Sequence, residues 1–345
     1  MKKGELESLL GSGEDVPDLG PIEDHLHVVA TERQLPDIAI GMCTARIEES
    51  GPALRAILAK AADGEALSDD EATLIFRGLY ILGGARDSQA FQLLLRLLRR
   101  PNAEIDSLLG DAVTEGLARI TAGVFDGDFN SLFGAITDRS IDEFIREALL
   151  GAATFLAWDG RIERDSMQRF LEQLYEGRPA TDGDQVWIGW VEAIALLGLR
   201  NLAPFVHRAW DEGRVPTGVL DRSDFEKDLS EAERRPNDIN RFKRANLGYI
   251  DDVLEALDWT RHTECLDEAP DPEPLWSDMA RHPITPAVNP WRHVGRNDPC
   301  RAEAARRQRN VALPIDSRCA MPAMEFGVRR HNVALGFYCS ATAQM

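Results

Sequence analysis

The sequence predicts an all-α fold, a HEAT/armadillo-like helical-repeat solenoid that ends in a disordered or poorly structured C-terminal tail. Between residues 21 and 260, apolar residues recur three and four positions apart, which is the spacing of one helix face. Runs of β-branched residues, the usual signal of strands, are nearly absent.

Segments of similar character also recur at spacings of 37, 39, 37 and 35 residues. They lie around Ile57, Leu94, Phe133, Phe170 and Phe205. Paired helices that stack into a solenoid have periods of this length.

Individual helices are indicated by apolar stripes that end near glycine or near capping residues. The two clearest stripes comprise Phe91, Leu94, Leu95 and Leu98, and Leu74, Ile75, Leu79 and Leu82. Between the repeat positions lie more apolar segments, at residues 72–83, 112–124, 144–158 and 186–199. We expect these to form an inner, more buried layer, because one helix pair cannot bury its apolar face alone. The alternative interpretation is an irregular helical bundle.

The chain divides by composition into five parts. Residues 1–20 are rich in Gly, Ser, Asp and Glu and indicate a mobile leader, and residues 21–262 form the helical-repeat domain. Residues 263–290 are acidic and rich in proline, as in an extended linker. Residues 291–300 and 301–345 differ from both and are treated below.

Charge and cysteine content restrict the classes of function. The chain has a net charge of −19, and because residues 301–345 hold seven Arg and three acids, the first 300 residues carry −23. A body this acidic repels nucleic acid. A basic or neutral protein surface is the more suitable partner. No apolar run approaches the roughly 20 residues that cross a bilayer, and no signal peptide follows Lys2 and Lys3, so we expect a cytoplasmic protein without membrane contact. Five scattered cysteines fit a reducing compartment and predict no structural disulfide.

Three segments carry a family resemblance. Residues 110–117 read Gly-Asp-Ala-Val-Thr-Glu-Gly-Leu and are followed by Val-Phe-Asp-Gly-Asp at 124–128. Asp-Glu-Gly at 211–213 precedes residues 221–229, and Ile-Asp-Asp-Val at 250–253 leads to Trp259. Over about residues 21–260 the chain resembles the bacterial family called domain of unknown function 1186. The resemblance implies a helical-repeat fold and no assigned activity.

A second resemblance begins after the linker. Residues 294–300 read Val-Gly-Arg-Asn-Asp-Pro-Cys, which closely resembles the opening of a SEC-C zinc motif. That family continues with Pro-Cys-Gly-Ser-Gly-Lys-Lys and ends in Lys-Cys-Cys or Lys-Cys-His, which supplies four zinc ligands. Here residues 301–307 instead read Arg-Ala-Glu-Ala-Ala-Arg-Arg.

One missing base explains this departure. Insertion of a single C after the codon of Cys300 allows codons permitted for residues 301–307 to read Pro-Cys-Gly-Ser-Gly-Lys-Lys. Residues 308–312 then allow Ala-Lys-Lys-Cys-Cys, at the ligand spacing of the motif. The same shift accounts for a tail, residues 301–345, that contains seven Arg, no Lys and no apolar period. We therefore interpret residues 291–300 as the start of a broken SEC-C motif and the rest as out of frame.

The expected consequence is that this chain binds no zinc. Structural Zn²⁺ needs four thiolate or imidazole ligands, and Cys300 is the sole surviving ligand of the motif. Substitutes such as Cys319 or His331 lie at irregular distances, and their ordering would oppose binding. No cofactor is expected for this sequence, whereas a chain with the frame restored would bind zinc.

Other groups of polar residues favour structural roles. His25 and His27 lie two apart, so they face away from each other on a helix and do not form a metal site. Asp126, Asp128 and Asn130 resemble the start of a calcium loop. The loop's later Gly and Glu are absent, so a helix-capping turn is expected.

Two further sets of residues are candidates for a binding surface. Thr114 and Glu115 are expected to form an interhelical hydrogen bond, although they could also line a groove. The tryptophans of neighbouring repeats are expected mainly in the core. They are Trp158, Trp187, Trp190 and Trp210.

These observations favour a non-enzymatic scaffold or adaptor whose concave face binds a protein partner. The resemblance to SEC-C tails, such as that of the protein-export motor SecA, implies a second contact with a chaperone, ribosome or other protein, disabled in this copy. The alternative is an unrecognised enzyme that uses acidic residues of the inner helical face, such as Glu115 and Glu192. A carboxylate cluster in a deep pocket would favour the enzyme, and a broad acidic groove would favour binding.

Zinc content tests the interpretation of the tail. The full chain, expressed with added zinc and dialysed, should contain no stoichiometric metal, because Cys300 lacks the other three ligands of the motif. The matched control carries one added base after the codon of Cys300 and should bind one zinc ion per chain. Stoichiometric zinc in the unmodified chain would show that the motif is not broken.

Overall fold

The computed structural model describes residues 19–218 and 220–261. The leader up to residue 18, the linker from residue 263, the broken motif, the tail and Cys300 lie outside this part, so the predictions made for them remain predictions. The described part is entirely helical, with sixteen α-helices, two short 3₁₀ turns at Ser88–Ala90 and Arg200–Leu202, and no strand. The helices are α1 (Ile22–Thr31), α2 (Asp37–Ala45), α3 (Ile47–Ala62), α4 (Asp69–Ala85), α5 (Phe91–Leu97), α6 (Asn102–Leu109), α7 (Ala112–Glu115), α8 (Leu117–Val124), α9 (Phe129–Thr137), α10 (Glu143–Trp158), α11 (Arg164–Gly177), α12 (Val186–Leu197), α13 (Ala203–Asp211), α14 (Arg222–Arg234), α15 (Asn240–Arg244) and α16 (Val253–Leu257).

Side-chain caps fix the starts of several helices. Ser68 and Glu71 form a complete capping box at the start of α4, in which each side chain bonds the other's backbone N–H. Asp128, Asp142 and Asp221 accept hydrogen bonds from first-turn backbone N–H groups of α9, α10 and α14. Each such cap stabilises its helix by about 1 kcal/mol. The capping turn predicted around Asp128 is therefore confirmed.

Five helices form an inner row in which each contacts the next, namely α4, α8, α10, α12 and α14. Helix α12 is apolar on nearly every side because it lies between α10 and α14. Its Trp187 and Trp190 are fully buried, and the indole N–H of Trp190 donates to the backbone oxygen of Leu171 in α11 at 2.9 Å. The apolar segments predicted to be the more buried ones lie in this row.

The helices α3, α5, α9, α11 and α13 form an outer row packed against the inner one. Helix α5 contacts α3 and α9. Phe133 of α9 stacks on Phe170 of α11 with ring centroids 3.9 Å apart. The ring centroids of Tyr175 of α11 and Phe205 of α13 are 5.1 Å apart. Each of the five repeat positions found in the sequence lies on one of these outer helices. The spacing thus identified one row correctly.

Segment 112–124, expected to be one helix, is two helices that break at Gly116. The backbone of Gly116 leaves helical geometry at φ −137° and ψ −25°. The hydroxyl of Tyr80, from α4, occupies the space that a side chain at position 116 would need. Packing of this buried tyrosine against the backbone therefore accounts for the interruption, which apolar spacing alone does not reveal.

Residues 236–261, here called the return segment, leave α14 and run back along the inner row toward α4. Arg241 donates to the backbone oxygen of Leu196 at 2.9 Å, and Phe242 is fully buried beside Phe155. Further along, the Leu247 side chain lies over Gly151 of α10. The return segment therefore contacts the later turns of α10 and α12.

The return segment ends against the first helices of the chain. The backbone oxygen of Tyr249 accepts from Arg119 of α8 at 3.1 Å, and its hydroxyl donates to Asp159 at 2.6 Å. Ile250 and Val253 pack onto the glycines at the end of α4, and α16 contacts α2 and α4. The last described residue, Arg261, pairs with Asp37 of α2 at 2.5 Å. Apolar spacing along the chain did not predict this closure.

None of the helices in residues 19–261 combines the length and apolar character needed to cross a membrane. Cys43, the one cysteine among these residues, is buried, and burial raises the pKa of its thiol to about 12. A thiol with so high a pKa is unreactive at neutral pH.

Two helical glycines test the close packing of the inner row. A methyl group on Gly123 of α8 would clash with the backbone of Gly83 in α4, whereas one on Gly134 of α9 would meet no atom within 4 Å. We expect Gly123→Ala to destabilise the chain by at least about 2 kcal/mol, because backbone must shift. The matched Gly134→Ala should stabilise it by about 0.5–1 kcal/mol, because alanine is the better helix former. Urea unfolding measures both, and equal effects of the two substitutions would contradict the packing described.

Candidate functional site

Glu192, selected from the sequence as an inner-face carboxylate, lies midway along α12 and is half-buried. Burial, and next to it the charge of Asp228, raises its pKa to about 7. One turn earlier on the same helix, Gly189 leaves room for the side chain of Glu147 from α10, whose Cγ lies 3.2 Å from the position of a Cβ at residue 189. Glu192 is therefore one of a set of neighbouring carboxylates.

Glu147 of α10, Glu192 of α12 and Asp228 of α14 form what we call the carboxylate row, with one acid on each of three consecutive inner helices. Burial raises the pKa of Glu147 well above its usual range, with further contributions from Glu192, Glu143 and Asp184. Burial also raises the pKa of Asp228 to about 6. All three side chains are half-buried. Desolvation thus disfavours the charged forms of all three acids, and for Glu147 and Glu192 the charge of the next acid in the row adds to it.

On α10 the carboxylate row lies on the face that the return segment covers, just beyond the edge of that segment. Glu147 lies one helical turn before Gly151, which Leu247 covers, and Glu192 lies one turn before Leu196, to which Arg241 donates. Along this face of α10, Glu147 is thus partly accessible to solvent, whereas Gly151, one turn later, is covered by the return segment.

Within residues 19–261, the three carboxylates of the row make no ion pair and no side-chain hydrogen bond. The cations near Asp228 are Lys227, beside it on α14, and Arg244 of α15. Arg244 is bound to Glu231 at 3.0 Å. With no cation paired to it, the row favours protonated carboxyls, and a cation placed beside it would favour their charged forms instead.

A buried ion pair positions the start of α12 against α10. Arg146 and Asp184 pair at 2.7 Å, and each side chain is less than a tenth exposed. Asp184 also accepts from the backbone N–H of Val186 at 2.9 Å, and Glu143 accepts from that of Gln185 at 2.8 Å. Loss of one partner from a buried pair leaves an uncompensated charge, so these contacts fix the spacing between the helices that carry Glu147 and Glu192.

The structure does not join Glu115 to Glu192. The backbone oxygen of Glu115 accepts from Asn246 at 2.9 Å, and its charge acts on Tyr80, where it adds to burial in raising the pKa of that hydroxyl. It is not among the charges that shift the pKa of Glu192. The neighbours of Glu192 are instead Glu147 and Asp228, which were not identified from the sequence.

Most other predicted roles are structural. His25 bonds the backbone oxygen of Leu19 at 2.7 Å, and His27 is exposed. Thr114 bonds locally to the backbone of Asp111 and makes no interhelical bond, so that expectation was wrong for its side chain. The two tryptophans outside α12, Trp158 and Trp210, are half-buried and pack against the core. Among the described residues, no group of three or more His, Cys, Asp or Glu is placed to hold a metal ion.

The fold and site define an all-helical protein whose inner row carries a line of half-buried acids. The chain belongs to the family of proteins of unknown function DUF1186, whose model matches residues 22–263. It is 24% identical over 226 residues to an uncharacterised protein of Chlamydia muridarum and to one of Chlamydia trachomatis. The aligned region covers 65% of this chain, 90% of the Chlamydia muridarum protein and 89% of the Chlamydia trachomatis protein. No solved structure matches significantly.

The pH dependence of stability tests the environment of Glu192. Its carboxyl has a folded pKa of about 7, above the roughly 4.3 of an unfolded Glu, so its protonation stabilises the fold at low pH. This stability is fully present below about pH 4.3 and is lost as the pH rises toward 7. Relative to wild type, Glu192→Gln should therefore gain about 1–2 kcal/mol in unfolding free energy between pH 5.5 and pH 8.

Urea unfolding at both pH values checks this, with exposed Glu48→Gln as the matched control. The control should shift stability equally at the two pH values. A Glu192→Gln difference that does not change with pH would show that its carboxyl titrates as an ordinary solvent-exposed acid.

Proposed function

We propose that this chain is a cytoplasmic, non-enzymatic scaffold or adaptor, built as a HEAT-like solenoid, that binds a basic segment of a partner protein along the carboxylate row. The two stacked rows of helices support the architectural part of the proposal. Solenoids of this kind commonly present an extended binding surface. Here the return segment leaves only part of the inner face accessible, so the partner contacts the early turns of α10 and α12 and the adjoining face of α14.

The single observation that carries the proposal is the carboxylate row itself, three half-buried acids on adjacent helices with no paired cation among the described residues. Like charges held near one another and partly removed from water raise one another's pKa, and a cation supplied from outside reverses that cost. Lysine or arginine side chains of a partner meet this requirement. Attraction between such charges is stronger in a half-buried site than in bulk water. Complementary charge also accelerates and orients association.

The alternative function is an enzyme that uses Glu192 as a general acid or base. Its pKa of about 7 favours this, because a catalytic group works best when its pKa lies near the operating pH. Against it, Glu115 does not approach Glu192, and the cleft lined by Phe76 and Leu108 contains none of the three acids. Glu147 and Asp228 add only further carboxylates, so binding accounts better for all three residues.

We further propose that the natural protein carries a SEC-C zinc knuckle as a second contact, which is disabled in this chain at Cys300. The knuckle would be joined by the acidic linker at residues 263–290. Binding by the carboxylate row does not depend on it.

Titration of a synthetic Lys-rich peptide into the full chain tests the main proposal. The triple variant Glu147→Gln, Glu192→Gln, Asp228→Asn should bind at least about tenfold more weakly, because it removes the charges that recognise the peptide. The control, Glu48→Gln, Glu65→Gln, Asp106→Asn, removes the same number of carboxyl groups from exposed positions elsewhere and should bind as wild type does. Equal weakening in both variants would mean that only overall charge attracts the peptide.

Calorimetry in buffers of different ionisation enthalpy adds an independent measure. At pH 6.5 the acids with raised pKa hold protons, and a bound cation lowers the pKa of those acids and releases protons. Wild type should therefore release protons on binding, and the triple variant should not. Binding without proton release would place the peptide away from the carboxylate row.

A further inference from the structure

A cleft of about 270 Å³ lies beside α4, the first helix of the inner row, and is bounded by α6 and by the end of the return segment. Its lining combines an apolar wall, formed by Leu35, Phe76 and Leu108, with three hydroxyl groups and three arginines. An apolar wall with a few polar groups is usual in small-molecule sites. The volume lies just below the usual range of about 300–1,000 Å³, so the cleft admits only a compact ligand.

The arginines of the cleft are already engaged. Arg77 donates to two backbone oxygens at the end of α1, each at 2.8 Å. Arg261 pairs with Asp37 and Asp258 at 2.5 and 3.0 Å, and Arg33 likewise has an interaction partner. The cleft therefore does not require an anion, and its hydroxyl groups decide which ligand it recognises.

Two threonine hydroxyls of the cleft are left as hydrogen-bond acceptors. Thr73 donates its hydroxyl hydrogen to the backbone oxygen of Asp69 at 3.0 Å, and Thr260 donates its own to that of Leu257 at 2.7 Å. A hydroxyl has one hydrogen and two acceptor lone pairs. Because both hydrogens are used within the chain, the two oxygens select a ligand that donates.

The fold brings these two oxygens together with the apolar wall. Thr73 and Phe76 lie three positions apart and therefore share one face of α4. Trp259, which precedes Thr260, packs edge-on against Phe76 with ring centroids 6.1 Å apart. Helix α6 adds Leu108 to the same small space. A ring that packs beside Phe76 and Leu108 thus carries its polar substituent to the threonine hydroxyls.

We infer that this cleft binds a small neutral molecule in which an aromatic body carries N–H donors, as in a primary carboxamide. The ring packs beside Phe76 and Leu108, because aromatic pairs gain energy beyond the area that they bury. The N–H groups donate to the hydroxyl oxygens of Thr73 and Thr260. The exposed hydroxyl of Ser107 donates to the carboxamide oxygen. The site is independent of the protein-binding function proposed above.

Isothermal titration calorimetry on the full chain tests the inference with three probes of similar shape. Benzamide is neutral and has two N–H donors, acetophenone replaces its amino group by a methyl group, and sodium benzoate replaces the amide by an anion. We expect saturable binding of one benzamide per chain. Acetophenone and benzoate should each bind about tenfold more weakly, because neither donates to the threonine oxygens.

Nearly isosteric variants locate the bound probe. Thr73→Val and Thr260→Val each remove one acceptor, so each should weaken benzamide by about fivefold and leave acetophenone unchanged. The matched control is Thr44→Val, whose hydroxyl donates to the backbone oxygen of Ile40 at 2.8 Å and does not line the cleft. It should change neither affinity. Absence of saturable benzamide binding, binding of acetophenone or benzoate as tight as that of benzamide, or equal weakening by Thr44→Val would overturn the inference.

Discussion

The close approach of α4 and α8 sets the geometry of the inner row. The two helices meet at Gly83 and Gly123, where a single methyl group would force the backbones apart. Because the rows are stacked, the spacing of one pair determines where the next helix can pack. The same glycine-lined end of α4 also receives Ile250 and Val253 of the return segment. A contact between backbones therefore supports both the stacking of the row and its closure.

Closure by the return segment determines which part of the inner face remains accessible to solvent. Without it, the stripe of Phe155 and Trp158 on α10 would be exposed beside the acids. With it, aromatic residues are covered by Phe242 and Tyr249, and charged residues are left at the margin. The division between apolar and acidic surface on this face thus arises from the position of one chain segment. Buried aromatic area stabilises the fold, while the uncovered acids have raised pKa values at its edge.

The sequence predicted local features well and distant ones poorly. Helical class, the outer-row positions and the family followed from apolar spacing and motif runs, which are properties of neighbouring residues. The return segment was missed because its helices α15 and α16 have only five residues each, and its contacts join residues up to 224 positions apart. The break at Gly116 depends on Tyr80, 36 positions earlier, and no local rule identifies it.

Of the carboxylate row, Glu192 was found because an acid within an otherwise apolar helix is conspicuous. Glu147 carried a similar signal, since it shares one face of α10 with Gly151, Phe155 and Trp158. Asp228 had no comparable signal, because α14 is strongly acidic throughout. Burial distinguishes it from its neighbours, and burial is a property of the folded chain.

Closure also determines when the fold can be completed during synthesis. An open array of helices can fold progressively from its N-terminus as each pair emerges from the ribosome. Here the glycine-lined end of α4 stays uncovered until residues 250–253 have been synthesised. The first helices therefore cannot complete their packing until nearly the whole domain has been made. Contacts this distant in sequence slow folding, and they join the first and last helices into one cooperative unit. Local unfolding at either end of the domain therefore destabilises the other end.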